Sequence, residues 1–421
     1  MKIPKPPSSL VWNMLSFALV GVTGILINIM VVREKGEEVF GVFNQVYAIF
    51  LMLSQLAAGG VHLSVQRFIP LYARREKIRS QILFSALGIG SMVSIIVVFL
   101  AWLLHDAVGF LLKSDAVEQG YLFAIPGLLF FTLNKILISY HNGLQNFRIF
   151  AILQFMRMGL LFLFVFLFLH FSNDSAMLCS SFSLTEGTLF LVSALCSIPF
   201  MKIPARDASM RKWLGINFSY GNKAFVGNFL LDINTKADVF ILGIFFDDAS
   251  VGIYSFASTF AEGFMQLAAV LRNIFNPLLA RLRFIKKTKK VSMIIRKFRR
   301  STFMLINGAA CFAILVFPFI LKLFSIKENN NTYWLIFSLL TGCYALTSGY
   351  QALLMIFNQY GKPSLQTRFV FFIFLSNVLL NLIIVPYAGI AGAAIATALS
   401  FFVQVGIQRY FMQKALHLVA F

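Results

Sequence analysis

GVFNQVYAIFLMLSQLAAGGVHLSVQR, residues Gly41 to Arg67, is the stretch on which the fold turns. It is long enough to cross a bilayer, for which about 20 residues of helix suffice. It is not uniformly apolar. Asn44, Tyr47, Gln55, His62 and Gln66 recur at steps that sum to helical turns, so a single helix places them on one face. A membrane helix with one polar face needs a wet or protein-lined interior on that side.

The second half of the chain carries the same pattern. Gly41–Ala58 lies over GIYSFASTFAEGFMQLAA, Gly252–Ala269, at an offset of 211 residues, with Gly, Gln, Leu, Ala and Ala coinciding. The polar face persists there as Ser255, Ser258, Glu262, Gln266 and Asn273. GLQNF (Gly143–Phe147) likewise meets IFNQY (Ile356–Tyr360) at an offset of 213. Shared composition accounts for part of such matching, but two matches in the same order point to a duplicated transporter-like body.

Composition agrees. A 421-residue chain that is 59% hydrophobic, with 49 phenylalanines and a mean hydropathy of +0.81, is a polytopic membrane protein and not a soluble globular one. The net charge of +20 would suggest nucleic acid in a soluble chain. Here the basic residues sit between apolar segments, which is the membrane pattern, and no nucleic-acid partner is expected. Cys179, Cys196, Cys311 and Cys343 lack metal-ligand spacing and read as small buried hydrophobes. MKIPKPPSSL has no small-residue cleavage site, so an uncleaved first span is expected.

Twelve apolar runs are long enough to span, from roughly 10–32 to roughly 390–412; the second, seventh and eighth cover roughly 40–66, 219–246 and 250–274. Six fall on each side of the polar connector Lys202–Tyr220. The predicted fold is therefore all-α, with twelve transmembrane helices in two six-helix bundles, 1–204 and 205–421. Pro126, Pro277 and Pro318 mark kinks or terminations, because each removes a backbone donor.

Most of the 36 lysines and arginines lie in connectors on one side: Lys2, Lys5, the Arg67–Arg79 segment, Arg148, the Lys202–Lys223 segment with Arg206, the Arg281–Arg300 run, Lys362, Arg368, Arg409 and Lys414. The other side has Arg33, Lys35, Lys113, Lys322 and Lys327 and most of the acids. This bias puts both termini in the cytoplasm. The Arg281–Arg300 run either anchors that topology or meets anionic headgroups.

Lys135, Arg157, Lys236 and Arg272 are left inside spans. A charge near the bilayer centre costs about 2.5–3.5 kcal/mol, so each needs a partner, water or a ligand, or must snorkel to the surface. Snorkelling suits Arg272 and Lys135 better than Arg157 and Lys236, which sit deeper. Asp232 and Lys236 share a helical face and could neutralise each other, leaving Asp238 unsatisfied. Glu262 sits at mid-span in the eighth run, and Glu186 is read as lying near the outer edge. Asp232, Asp238 and Glu262 are candidates for proton or sodium coupling, because protonation or ion binding removes their burial cost. His62 suits a hydrogen-bonded cavity residue as well as a proton carrier. There is no Gly-rich phosphate loop, HExxH, CxxC pair or Gly-x-Ser-x-Gly elbow, so no enzyme, cofactor or metal site is expected.

FGVFNQVYAIFLMLSQLAAGGVHLSV, with FLLDINTKADVFILG and VGIYSFASTFAEG, resembles the Wzx-type lipid-linked oligosaccharide flippases. These form the polysaccharide-translocase branch of the multidrug/oligosaccharidyl-lipid/polysaccharide exporter superfamily. The resemblance covers essentially the whole chain, through diffuse motifs. It implies two six-helix bundles related by a pseudo-two-fold, with a central cavity lined by spans 1, 2, 7 and 8. It also implies movement of undecaprenyl-diphosphate-linked sugar repeats from the cytoplasmic to the periplasmic leaflet of the bacterial inner membrane, by alternating access. Asp238, and Glu262 with Gly263, fall on the family's polar positions in spans 7 and 8. A polysaccharide polymerase and a chain-length regulator are the implied protein partners.

The residues fit that role. Arg157, Lys236, Lys135 and Arg272 are candidates for the diphosphate, and Asn44, Gln55, His62, Ser255 and Gln266 for sugar hydroxyls. Rival readings are a multidrug or organic-cation antiporter, which wants an acidic or aromatic cavity, and a lipid II flippase, which usually has two further spans. A glycan polymerase or ligase would need a large external loop that is not found, and a channel would need a repeated filter-like motif.

Overall fold

The computed structural model describes residues 8–172, 174, 176–202, 208–282, 288–324, 326 and 329–416, with side chains left out at 8–20, 208, 224, 277 and 288–290. Lys2, Lys5, Arg206, Lys327 and the 283–287 part of the basic run lie outside these residues, as does the side chain of Pro277.

Among the described residues every regular element is helical. In chain order they are α1 (Ser8–Ala58), α2 (Val61–Phe68), α3 (Glu76–Leu103), α4 (His105–Leu112), α5 (Asp115–Ala124), α6 (Gly127–Gly143), α7 (Phe147–Phe171) and α8 (Ser180–Ser197). They continue as α9 (Ala208–Asn234), α10 (Ala237–Phe245), α11 (Asp248–Leu282), α12 (Thr288–Leu323), α13 (Asn330–Gln351), α14 (Ile356–Gln359) and α15 (Pro363–Leu416).

Among the described residues seven helices are long and apolar enough to cross a membrane, or eight if the pair α5–α6, bent by 45° at Ile125–Pro126, is one span. The 54 residues of α15 would reach about 80 Å at about 1.5 Å per residue, far beyond the roughly 30 Å of hydrocarbon. Both α15 and the 51-residue α1 are in fact two helices each, joined across non-helical Gly389 and Gly36. The α9–α10 pair and α11 answer to the seventh and eighth runs; they are too polar to pass on hydropathy alone. Large apolar side chains such as Phe99, Trp102, Leu315 and Phe319 stand outward, 55–71% exposed. Such a surface is stable against lipid tails, not water. The protein is a multi-pass membrane protein.

The expected proline effects are realised unevenly. Pro126 stands at the α5–α6 bend, whereas α12 runs on through Pro318 to Leu323 and α11 continues past position 277 to Leu282. Pro386, inside α15, joins them.

The chain divides into two compact units, Met1–Asp232 and Ile233–Phe421. The division falls after most of α9, later in the chain than the Lys202–Tyr220 connector, because α9 is bound into the first unit. Trp213 packs in a core with Val61, Val65, Ile82, Leu83, Ile136 and Tyr140. Asn217, fully buried, donates to Ile82 O (3.0 Å) and Ser85 Oγ (2.7 Å) and accepts from Ser64 Oγ (2.7 Å). Loss of these bonds in Asn217→Ala is expected to lower stability by about 2 kcal/mol. Thermal unfolding in detergent measures it, and an unchanged midpoint would remove this anchor.

The second run is not one helix. It breaks at Gly59 and Gly60, both at positive φ (50° and 69°), and resumes as α2. His62 and Gln66 therefore belong to a separate helix and do not extend the face that carries Asn44 and Gln55, as helical periodicity alone implied. Further along α1, Phe43, Tyr47 and Phe50 stack on Phe182 of α8, with centroids 4.8–5.6 Å apart.

In the second unit, α13 packs on α11, α12 and α15, and α10 on α11 and α15. Phe256, Phe260, Phe317, Phe337 and Tyr333 form an aromatic core, and Gln351 and Gln404 exchange amide hydrogen bonds (2.8 and 3.3 Å).

Each unit holds the same turn. After α6, Asn146 N–H reaches His141 O and Gln145 N–H reaches Asn142 O; before α15, Lys362 N–H reaches Phe357 O and Gly361 N–H reaches Asn358 O. Gln145 (φ 61°) and Gly361 (φ 70°) are both left-handed, which is the Schellman closure of a helix. These positions stand 216 residues apart, three more than the GLQNF/IFNQY alignment gives, since that alignment pairs letters and not hydrogen bonds.

Candidate functional site

In the first unit, α6 places Phe131, Asn134 and Lys135 on one face by the three- and four-residue spacing of a helix. Lys135 Nζ donates to Gln55 Oε1 of α1 and stands 5.6 Å from the Phe131 ring centroid. Arg157 of α7 lies over the same ring at 4.7 Å. Two cations thus flank one aromatic side chain, an arrangement that favours positive charge.

Arg157 is answered by Glu186 of α8: Nε–Oε1 is 2.8 Å and Nη2–Oε2 is 3.2 Å. Glu186 is 3% exposed. It also accepts from Asn134 Nδ2 through Oε2 (2.8 Å), and Asn134 in turn accepts from Ser193 Oγ (2.8 Å). Lys135 is bonded to a neutral amide instead; the ionisable groups acting on it are Asp232, attractively, and Arg157, repulsively. His62 feels Lys135 as well, and its Nδ1 is buried with no hydrogen-bond partner among the described residues.

In the second unit the seventh run is interrupted. α9 ends at Asn234, Thr235 and Lys236 form a turn, and α10 begins at Ala237. Asp232 and Lys236 therefore do not share the face of one continuous helix, which corrects that expectation. Lys236 Nζ donates to both oxygens of Glu262 on α11, at 2.8 and 3.1 Å. Asp238, 7% exposed, sits in the first turn of α10, where the helix dipole favours a carboxylate. It accepts from Val239 N–H (2.9 Å), Thr397 Oγ1 (3.4 Å) and the Tyr254 hydroxyl.

The remaining expected residues are scattered. Asn44 donates to Phe40 O of its own helix at 3.0 Å, and Ser255 is buried with its hydroxyl unpartnered among the described residues. Gln266 is exposed. Arg272 is partly buried and interacts electrostatically with Tyr344, with no carboxylate in ion-pair range among the described residues. At contact distance, then, Lys135 and Arg157 exceed Glu186 by one charge in the first unit, whereas Asp238 and Glu262 exceed Lys236 in the second. Glu186, Asn134, Phe131, Tyr254 and Thr397 were not singled out as site residues. Asn134 had a signal in its place beside Lys135; Glu186 had one in the seven-residue step to Ser193.

Helices of this length and apolarity define a class, the polytopic membrane proteins, and known structures of the same fold agree. A lipid II flippase MurJ in an inward closed conformation superposes with a TM-score of 0.76, at 16% identity over 96% of this chain and 88% of that one. An inward-facing multidrug resistance MATE family transporter of the MOP superfamily gives 0.76 at 14% identity over 96% and 94%. An uncharacterized membrane protein of Methanocaldococcus jannaschii is 22% identical over 96% of this chain and 83% of its own length. Residues 9–281 match the family described as polysaccharide biosynthesis protein. The chain belongs to that family and has the MOP transporter fold. Neither solved relative is an enzyme.

Proposed function

We propose that this protein is a flippase for oligosaccharide repeat units carried on undecaprenyl diphosphate, moving them from the cytoplasmic to the periplasmic leaflet of a bacterial inner membrane. The product would feed a surface polysaccharide such as O-antigen, capsule or exopolysaccharide, where a polymerase and a chain-length regulator act next. The observation that carries this reading is the Lys135–Phe131–Arg157 cluster, in which two cations flank one ring and the Lys135 ammonium is hydrogen-bonded to the Gln55 amide. Family membership supplies the sugar context.

Lys236 and Arg272 complete the proposed diphosphate set, and Asn44, Gln55, His62, Ser255 and Gln266 the sugar set. Transport would proceed by alternating access, driven by a proton or sodium gradient through Asp238, Glu262 and Asp232. Both termini would lie in the cytoplasm.

The test is reconstitution in vesicles with a lipid-diphosphate sugar, its leaflet read by an impermeant probe. Lys135→Ala is expected to slow transfer about tenfold or more, the loss of roughly 1.5–3 kcal/mol for a charge-assisted bond. Transfer unchanged in Lys135→Ala and Arg157→Ala would reject the anion site. Asp238→Asn is expected to abolish dependence on the gradient, and intact dependence would reject that residue. The organic-cation alternative draws on the acidic excess around Asp238 and Glu262; vesicles that extrude a cationic dye and leave the lipid unmoved would establish it.

A further inference from the structure

The first half of α9 carries two unlike faces. Trp213, Asn217 and Gly221 hold it against the first unit. Lys212, Gly215, Ser219, Tyr220 and Lys223 share another face by three- and four-residue spacing. That face and Phe68, the last residue of α2, line an open cleft of about 410 Å³. All the lining residues belong to the first unit. Gly215 keeps the cleft open, since a Cβ there would meet nothing within 4 Å.

Arg67 stands at the rim. Its guanidinium lies over the Tyr220 ring at 5.1 Å and over the Phe68 ring at 5.9 Å. Stacking of this kind fixes the group and leaves its N–H donors to point outward in the guanidinium plane. The rings are fixed in turn: Phe68 meets Trp213 and Tyr220 edge-on, each with centroids 5.6 Å apart, and Trp213 belongs to the core. Arg67, Lys212 and Lys223 have no hydrogen-bond or ion-pair partner among the described residues. No carboxylate lines the cleft, and Glu76, the next acid along the chain from Arg67, is engaged by Lys202 at 2.8 Å.

Anchoring the topology would need these cations in number but not in this placement. Deeper along the same face of α9, Val226 is 46% exposed and Leu230 half-buried. The cleft therefore passes from cations into apolar surface. A ligand with an anionic head and an apolar tail matches both parts, whereas a free anion uses only one.

We propose that this cleft binds the phosphate of an anionic phospholipid. Arg67 holds the phosphate oxygens through its planar fork, Lys212 and Lys223 add charge, and the acyl chains run past Val226 and Leu230. Phe68 and Tyr220 are the aromatic pair that a membrane–water boundary favours. The site shares no residue with the proposed diphosphate and sugar sets and does not rest on that reading. Because α2 and α9 build it together, a bound lipid stabilises the contact at which Gly60 meets Gly221.

The experiment is titration of the full chain in a neutral detergent, with bound lipid counted by native mass spectrometry. The probes are phosphatidylglycerol, phosphatidylcholine, inorganic phosphate and a short-chain polyprenyl diphosphate. The wild type is expected to hold one phosphatidylglycerol about tenfold or more tightly than phosphatidylcholine. Arg67→Ala is expected to weaken that binding about tenfold, and Lys212→Ala and Lys223→Ala about fivefold each. Arg67→Lys keeps the charge without the fork and should fall between wild type and Arg67→Ala.

Equal retention of the two phospholipids by the wild type overturns the proposal. So does phosphatidylglycerol binding that is unchanged in all three alanine variants. Displacement of phosphatidylglycerol by an equal concentration of inorganic phosphate makes this a site for a free anion. Displacement by the polyprenyl diphosphate makes it a site for the carrier lipid, and either result overturns the phospholipid assignment. The wild-type comparison of lipids decides the matter even where a variant does not fold, and the Lys135–Arg157 cluster is judged separately, by transfer.

Discussion

Gly60→Ala is expected to cost the first unit about 2–5 kcal/mol, a large loss for one added methyl group. Gly60 has φ 69°, which an L-residue adopts at about 1–2 kcal/mol. A Cβ there would also lie 2.4 Å from the carbonyl oxygen of Gly221 and 3.2 Å from Phe225 Cβ. The first of these neighbours is backbone of α9, so relief requires moving a helix, and overpacking of this kind adds about 1–3 kcal/mol. Gly221→Ala is the control. It meets Gly59 O at 3.0 Å and Val61 N at 3.1 Å with no positive φ, so its cost should be clearly smaller. Thermal unfolding of both variants in detergent measures the difference. A Gly60→Ala protein as stable as Gly221→Ala would mean that the α1–α2 break does not rest on α9.

Glu186→Ala should be at least as severe. It leaves the Arg157 guanidinium without its carboxylate and Asn134 Nδ2 without a side-chain acceptor. Removing one member of a buried ion pair costs about 3–5 kcal/mol, mostly for the charge left behind. The Phe131 face retains some of the attraction. Because the cost is a stranded charge, Arg157→Ala in the same chain should restore part of the stability. The coupling read from a double-mutant cycle should exceed about 1 kcal/mol. Additive losses would mean that the two groups do not form a pair in the membrane.

The helical class and the order of the segments are legible in the letters, because hydrophobic length and charge bias act locally and every span must satisfy its own backbone. The buried charges are legible as well: Lys135, Arg157, Lys236 and Arg272 stand out against apolar surroundings, and so do Asp238 and Glu262. Their partners are not. Asp232 stands four positions from Lys236 in sequence, yet a helix ends between them, and Glu262, 26 residues on, meets the ammonium at 2.8 Å. Glu186 reads from position alone as an edge acid and proves to be the contact of Arg157. His62 reads as part of the Asn44–Gln55 face, until two left-handed glycines turn the chain.

What the chain determines alone is periodicity, composition and the kind of charge each span carries, all set within a turn or two of helix. Which carboxylate meets which cation, and where a span breaks, is decided only when helices pack. Such pairings join residues 26 and 29 positions apart, and a glycine's tolerance for positive φ becomes necessity only where another backbone, here that of Gly221, comes within 3 Å of the space a side chain would need.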